Sequence, residues 1–281
     1  MNEDVSLANS EYWNELCGSR AARKLGITAG DPQGVQTFDA WFFDFYPYIK
    51  GERFIPWGLL EGSRVLEIGL GYGTVSRRLG DASKHVVSLD IATNAVKFVR
   101  DTAPKVSPVT SSALQLPFAD GVFDYVITLG CLHHTGDMEA AIRECLRVLR
   151  PGGRMVLMVY NRYSYKRWIV SPLDTWKWWR SERSGAPANG KTSATRRVSW
   201  FWDRSPSGSA PPHTEFATHT QLLRVFGEVH EIEISTTNVD NLTDLLPQHL
   251  QSVRLDQLRL RLLNSWLSRR LGLDLYVTVV K

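Results

Sequence analysis

From Arg64 onward, short apolar runs alternate with amphipathic stretches along the chain. RVLEI (64–68) is an apolar run that ends in a glycine-rich turn, and TVSRRLG (74–80) continues as a helix. HVVSLDI (85–91) reads as a second buried strand, and TNAVKFVRDT (93–102) as a second helix that Thr93 or Asn94 can cap. VSPVTS (106–111) is a weaker third strand, which Pro108 places near a strand start or an edge. FDYVITLG (123–130) is a clear fourth. Asp137 can cap the next helix, whose apolar face is Met138, Ala141, Ile142, Cys145, Leu146 and Leu149. Pro151-Gly152-Gly153 stops it, and RMVLMVY (154–160) forms a fifth strand. After an interruption, HTQLLRVFG (219–227) reads as a helix stopped by Gly227, and EVHEIEIS (228–235) as a strand. Residues 241–271 look helical with a break at Pro247, and LYVTVV (275–280) closes as a strand. Such alternation predicts an α/β fold: a parallel sheet with helices on both faces.

The segment before this rhythm behaves differently. Residues 1–34 are polar and punctuated by glycine, with a short amphipathic stretch at Tyr12, Trp13 and Leu16. Seven aromatics follow between Phe38 and Tyr48. Phe38, Trp41, Phe42 and Phe45 form one helical stripe, which Pro47 should end. A core-packing stripe is the simplest reading. Tyr46 and Tyr48, at the helix end, are better placed to face a pocket. The expected organisation is an N-terminal helical lid (1–59), a core (60–159), an insertion (160–215) and a C-terminal completion of the sheet (216–281).

Composition narrows the class. The 281 residues are 43% hydrophobic and 22% charged, which excludes intrinsic disorder and fibrous architecture. No apolar stretch approaches the roughly 18 residues of a membrane span, and Met1 to Ser10 lack the plan of a signal peptide. Cys17, Cys131 and Cys145 are odd in number and have no metal-type spacing, so a cytoplasmic protein without a metal centre is expected. The net charge of +4 is uneven. Between Tyr160 and Arg204, ten cations face only Asp174, Glu182 and Asp203, and six of the ten tryptophans lie there.

The glycine turn carries the chemistry. In Glu67-Ile-Gly69-Leu-Gly71-Tyr-Gly73, a strand runs through three close glycines into a helix, so the backbone can approach a ligand. Its G-x-G-x-G spacing is not the G-x-G-x-x-G of dinucleotide sites. Glu67 would oppose a diphosphate but suit an ammonium group. Asp90, at the end of the second apolar run, is placed to hold a ribose diol. A nucleoside with a cationic, amino-acid-like tail satisfies both acids, and S-adenosylmethionine is the common ligand of that description.

On these residues the chain resembles the class I S-adenosylmethionine-dependent methyltransferases, in the style of the ubiquinone/menaquinone-biosynthesis group. The resemblance covers roughly residues 60–160 and the terminal strands. It implies a Rossmann-like, seven-stranded, mostly parallel sheet with an antiparallel last strand. It also implies that Glu67, Gly69, Gly71, Gly73, Asp90, Ile91, Ser112, Ala113 and Leu129 bind the cofactor. Ser112 stands where that family usually has an acid on the adenine amino group, so its bond there would be weaker.

Beyond the cofactor, His133 and His134 follow the fourth strand at its ligand-bearing end, where a histidine can act as general base on a hydroxyl. His213, near the end of the insertion, is a further candidate for the acceptor, and Asn161 could orient it. The insertion can be read as a lid with Trp walls around an aromatic or anionic acceptor, as a membrane-surface element, or as a nucleic-acid surface. The lid is preferred because Trp176, Trp178 and Trp179 cannot share one helical face; nucleic acid ranks last because no RNA-binding module is present. The expected activity is methyl transfer to a small organic acceptor, with oxygen favoured over carbon or nitrogen. Two alternatives remain: a glycan or lipid-linked acceptor at a membrane surface, and a non-catalytic S-adenosylmethionine-binding regulator.

Overall fold

The computed structural model describes residues 3–15, 19–27, 32–184, 202–203, 205, 208–227, 229–239, 253–263 and 265–281. Seven strands form one sheet: β1 (Arg64–Ile68), β2 (His85–Asp90), β3 (Ser107–Thr110), β4 (Phe123–Leu129), β5 (Leu149–Tyr160), β6 (Glu231–Thr237) and β7 (Asp274–Val280). Their order is β3-β2-β1-β4-β5-β7-β6, and β7 runs antiparallel to both of its neighbours. The chain reverses direction beside β1, which starts outward to β2 and β3 and then returns to β4. Open α/β sheets place their ligands at such a switch point, beyond the carboxyl ends of the strands.

Side chains alternate across the sheet, as the strand period of two requires. Leu66, Val126 and Leu157 face one layer, built from α7 (Met138–Val148) and α10 (His219–Phe226). Val65, Ile127 and Val156 face the other, where α5 (Thr74–Ala82) and α6 (Thr93–Thr102) pack. Pro108 sits on the edge strand β3, where its missing N–H costs least. Asp137 caps α7 by accepting from the Ala140 N–H at 3.0 Å.

Some local expectations needed neighbours that the local sequence does not show. The cap of α6 is neither Thr93 nor Asn94. Ala92 holds that position, and Asn14 Oδ1 accepts from the Asn94 N–H at 3.1 Å and from Thr93 Oγ1 at 3.2 Å. That asparagine follows α1 (Glu3–Trp13), so the N-terminal segment is tied to the start of α6, just after β2. Three further helices follow: α2 (Ser19–Lys24), α3 (Pro32–Phe45) and α4 (Pro47–Lys50). Pro47 ends α3 and opens α4. The insertion begins as two helices, α8 (Tyr165–Val170) and α9 (Pro172–Arg183), while Cys17, Trp200 and the break at Pro247 lie outside the described residues. Helices α11 (Val253–Leu263) and α12 (Trp266–Leu271) lead into β7. Among the described residues, no helix is long and apolar enough to cross a membrane.

Candidate active site

A cleft opens at the carboxyl ends of β1, β2 and β4. Its floor is the glycine turn. Gly69, Gly71 and Gly73 all have positive φ (88°, 52° and 73°), a region side chains seldom adopt. At Gly69 glycine is required twice over, because a Cβ would stand 2.5 Å from the Cβ of Cys131 in the loop after β4.

Asp90 joins the turn to the end of β2. One carboxylate oxygen accepts from the Leu70 N–H at 2.8 Å and the other from the Ala92 N–H at 2.9 Å. Burial raises its pKa, and these backbone donors work against the rise. Ile91, Ser112, Ala113 and Leu129 join Gly69, Gly71 and Asp90 on the wall, giving a slot with apolar sides and one carboxylate.

Glu67 is placed otherwise. It is buried behind the turn, off the cleft wall, and one of its oxygens accepts from Ser76 Oγ and Ser88 Oγ, both at 2.6 Å. Desolvation lifts its pKa to about 7, so near neutrality it is partly an uncharged acid. Gly73 is the N-cap of α5 and also stands off the wall.

The roof of the cleft carries no sequence motif. Ser6, Asn9 and Trp13 of α1 close it. Asn9 is buried and donates through Nδ2 to the His134 carbonyl at 2.7 Å, while its Oδ1 has no partner. A buried acceptor left open beside a cleft is where a ligand donor would be expected. The only sequence signal was the short amphipathic stretch at Tyr12, Trp13 and Leu16. Helical spacing from Trp13 back to Asn9 and Ser6 would have found the face.

His134 does line the cleft, packed against Trp13 with ring centroids 4.8 Å apart. Its Nδ1 lies 2.9 Å from the His213 carbonyl, to which an Nδ1–H can donate. Its Nε2 faces Asp203 Oδ2 at 3.4 Å, and that carboxylate also accepts from the Tyr160 hydroxyl at 2.9 and 3.0 Å. Asp203, absent from the sequence-based candidates, is brought to the site by the far end of the insertion.

The remaining candidates stand away from the cleft wall. His133 is fully buried against Tyr160 and His134, neither ring nitrogen has a partner, and burial pushes its pKa well below the usual histidine value. It is therefore a neutral packing residue. Asn161 is a structural tie, donating to the Gly272 carbonyl at 2.8 Å and accepting from the Tyr163 N–H at 3.0 Å. Tyr46 packs among Phe42, Phe45 and Tyr48. The His213 ring turns to Glu215 at 3.2 Å, so its backbone, rather than its ring, serves the site.

The Trp walls expected of the insertion are not found in α9. Trp178 lies under the Arg162 guanidinium, 4.4 Å from its ring centre, and Trp176 and Trp179 face outward. Arg162 is buried and donates to the Phe216 carbonyl. Part of the segment's positive charge is thus spent inside the protein.

Sheet order, switch point and cleft together define a Rossmann-like α/β domain built for a nucleoside-bearing ligand. Residues 66–157 match the family described as methyltransferase domain. This stretch, about a third of the chain, is thus similar to the methyltransferase domain of S-adenosylmethionine-dependent enzymes. It is 39% identical over 104 residues to a demethylmenaquinone methyltransferase of Beutenbergia cavernae, covering 37% of this chain and 43% of that protein. It is 34% identical over 127 residues to a ubiquinone/menaquinone biosynthesis C-methyltransferase of Vibrio campbellii, covering 42% of this chain and 47% of that one. The chain thus spans less than half the length of these curated relatives. In fold it resembles an S-adenosylmethionine-dependent methyltransferase of Mesorhizobium loti (TM-score 0.51, 15% identity, covering 79% of this chain and 92% of that one). A second likeness is to phosphoethanolamine N-methyltransferase 2 of Haemonchus contortus, solved with S-adenosyl-L-methionine (TM-score 0.51, 17% identity, 90% and 58%).

Proposed function

We propose that this protein transfers a methyl group from S-adenosylmethionine to a small organic acceptor. The observation that carries the reading is the cleft where Asp90 meets the glycine turn beneath the α1 roof. Its residues fit the cofactor. Asp90 presents a carboxylate to the cleft for a diol, Ile91, Ala113 and Leu129 give apolar sides for a flat base, and the unpartnered Asn9 Oδ1 awaits a donor. When bound, the cofactor supplies an electrophilic methyl on a sulfonium, and displacement by the acceptor leaves S-adenosylhomocysteine. The α1 roof keeps water from the reacting atoms, and alignment alone supplies much of the rate.

A hydroxyl or ring-carbon acceptor must also lose a proton. His134 can receive it at Nε2, because Nδ1 is held on the His213 carbonyl and Asp203 stands ready to stabilise the imidazolium. The 3.4 Å gap is longer than a charge-assisted bond and would shorten as the proton arrives. Oxygen and carbon are both served by this pair, and the names of the relatives make a quinone-like ring a reasonable acceptor class to try first. An acceptor presented at a membrane surface is a second reading, favoured by the outward face of α9. Formation of S-adenosylhomocysteine with a panel of phenols and reduced quinones tests the proposal, and calorimetry with S-adenosylhomocysteine tests the cofactor site by itself. No binding of either form of the cofactor would overturn it.

A further inference from the structure

We infer that α9 docks this protein on an anionic lipid surface. The inference goes beyond the methyltransferase reading and does not depend on it.

The helix is amphipathic in an inverted sense. Thr175 is buried, Trp178 packs beneath Arg162, and Glu182 is tied to Tyr163 and to Thr218, so one face is fixed to the protein. Successive residues are 100° apart, so Leu173, Trp176, Trp179, Arg180 and Arg183 fall together on the opposite face, with Lys177 on its flank. Leu173 is 72% exposed, Trp176 45% and Trp179 39%. Ile169, in the helix before, is 68% exposed. An apolar row on the outside of a folded helix calls for something to cover it.

Charge selects the occupant. The outward face carries Arg180 and Arg183 and no acid, with Lys177 and Asp174 on the flank and Glu182 turned inward. Arg180 lies over the Trp176 ring at 5.5 Å and Arg183 over the Trp179 ring at 4.9 Å. Each pair offers a ring to the headgroup boundary and a guanidinium to phosphate. Leu and Trp beside Lys and Arg are the composition of helices that lie in a bilayer interface. Lone cations near a negatively charged leaflet strengthen attachment about fivefold each. The helix follows β5 at the carboxyl edge of the sheet, the edge on which the cleft opens, so docking would hold that edge toward the lipid.

Co-sedimentation of the intact protein with vesicles of phosphatidylglycerol and phosphatidylcholine (30:70), against phosphatidylcholine alone, tests the inference. Binding to the anionic vesicles alone is expected, weakening with salt. Trp176→Ser with Trp179→Ser, and separately Lys177→Glu with Arg180→Glu, should each lower it at least tenfold, while S-adenosylhomocysteine affinity and melting temperature stay unchanged. Absence of vesicle binding would overturn the inference. So would equal binding by the variants, salt-sensitive binding of RNA through these residues without vesicle binding, or a concentration-dependent dimer that the Trp176→Ser variant abolishes. The unchanged cofactor site separates any of these failures from a failure of the methyltransferase reading.

Discussion

His134 Nε2 and Asp203 Oδ2 stand 3.4 Å apart across 69 residues of chain, and the Tyr160 hydroxyl donates to the same carboxylate. The pair joins the loop after β4 to the end of the insertion, and it gives the site a carboxylate that no motif announced. If it accepts the proton of the acceptor, His134→Ala should lower kcat by about 10²–10⁴-fold. Asp203→Asn should lower it less, because the ring keeps its Nδ1 bond. Cofactor affinity, read by calorimetry, should hold within about threefold for Asp203→Asn. Full activity in both variants would mean that alignment alone drives transfer.

Asp90→Ala removes the carboxylate proposed to hold the diol and also the partner of the Leu70 and Ala92 N–H groups. Loss of charge-assisted hydrogen bonds worth about 1.5–3 kcal/mol predicts cofactor binding weaker by about 10–100-fold. Titration with S-adenosylhomocysteine measures this directly. Equal binding of NAD by the unaltered protein would instead contradict the cofactor assignment.

Asn9→Leu keeps the size of the side chain but leaves the His134 carbonyl unpaired and removes the open Oδ1. Cofactor affinity should fall by about 5–30-fold, as for one or two lost hydrogen bonds. An unaltered affinity would make α1 a cover without a binding role.

Glu67 predicts a pH effect on stability. Its folded pKa of about 7 lies above the ordinary value of 4.5, so between these the folded state holds more proton than the unfolded one. Stability from this group therefore falls as pH rises from about 4.5 to 7, by an amount on the order of 3 kcal/mol. His133, held neutral by burial, acts in the opposite sense as pH falls below the usual histidine value. The comparison of unaltered protein with Glu67→Gln isolates the acid: denaturant titrations should show the variant gaining relative stability as pH rises through this window. A difference that does not vary with pH would place the Glu67 pKa near its ordinary value.

Gly69→Ala tests the close approach of the two loops. The added Cβ would meet Cys131 at 2.5 Å from a residue with φ of 88°. Backbone strain and the clash together should cost about 2–4 kcal/mol, seen as a lower melting temperature. Adding Cys131→Gly should recover part of the loss.

Periodicity along the chain was enough for the alternation of β1 to β5 with α5, α6 and α7, because each element has its own apolar face and its own stop signals. Pro108 on the edge strand and Asp137 at its helix start were readable for the same local reason. So was the part of the site formed by consecutive residues: the glycine turn and Asp90 at the end of its strand. The cap of α6 by Asn14, the roof of Ser6, Asn9 and Trp13, and the approach of Asp203 to His134 were not readable. Each joins segments roughly 70 to 130 residues apart, or about 80 in the case of the cap, and no local period encodes such a meeting. Whether Asn161, His133 and the tryptophans of the insertion face the cleft turns on the same point. Sequence shows that a histidine, an asparagine or a tryptophan is present. Only the packed fold decides which of its polar atoms are already satisfied, and whether its ring turns toward the cleft, the core or the solvent.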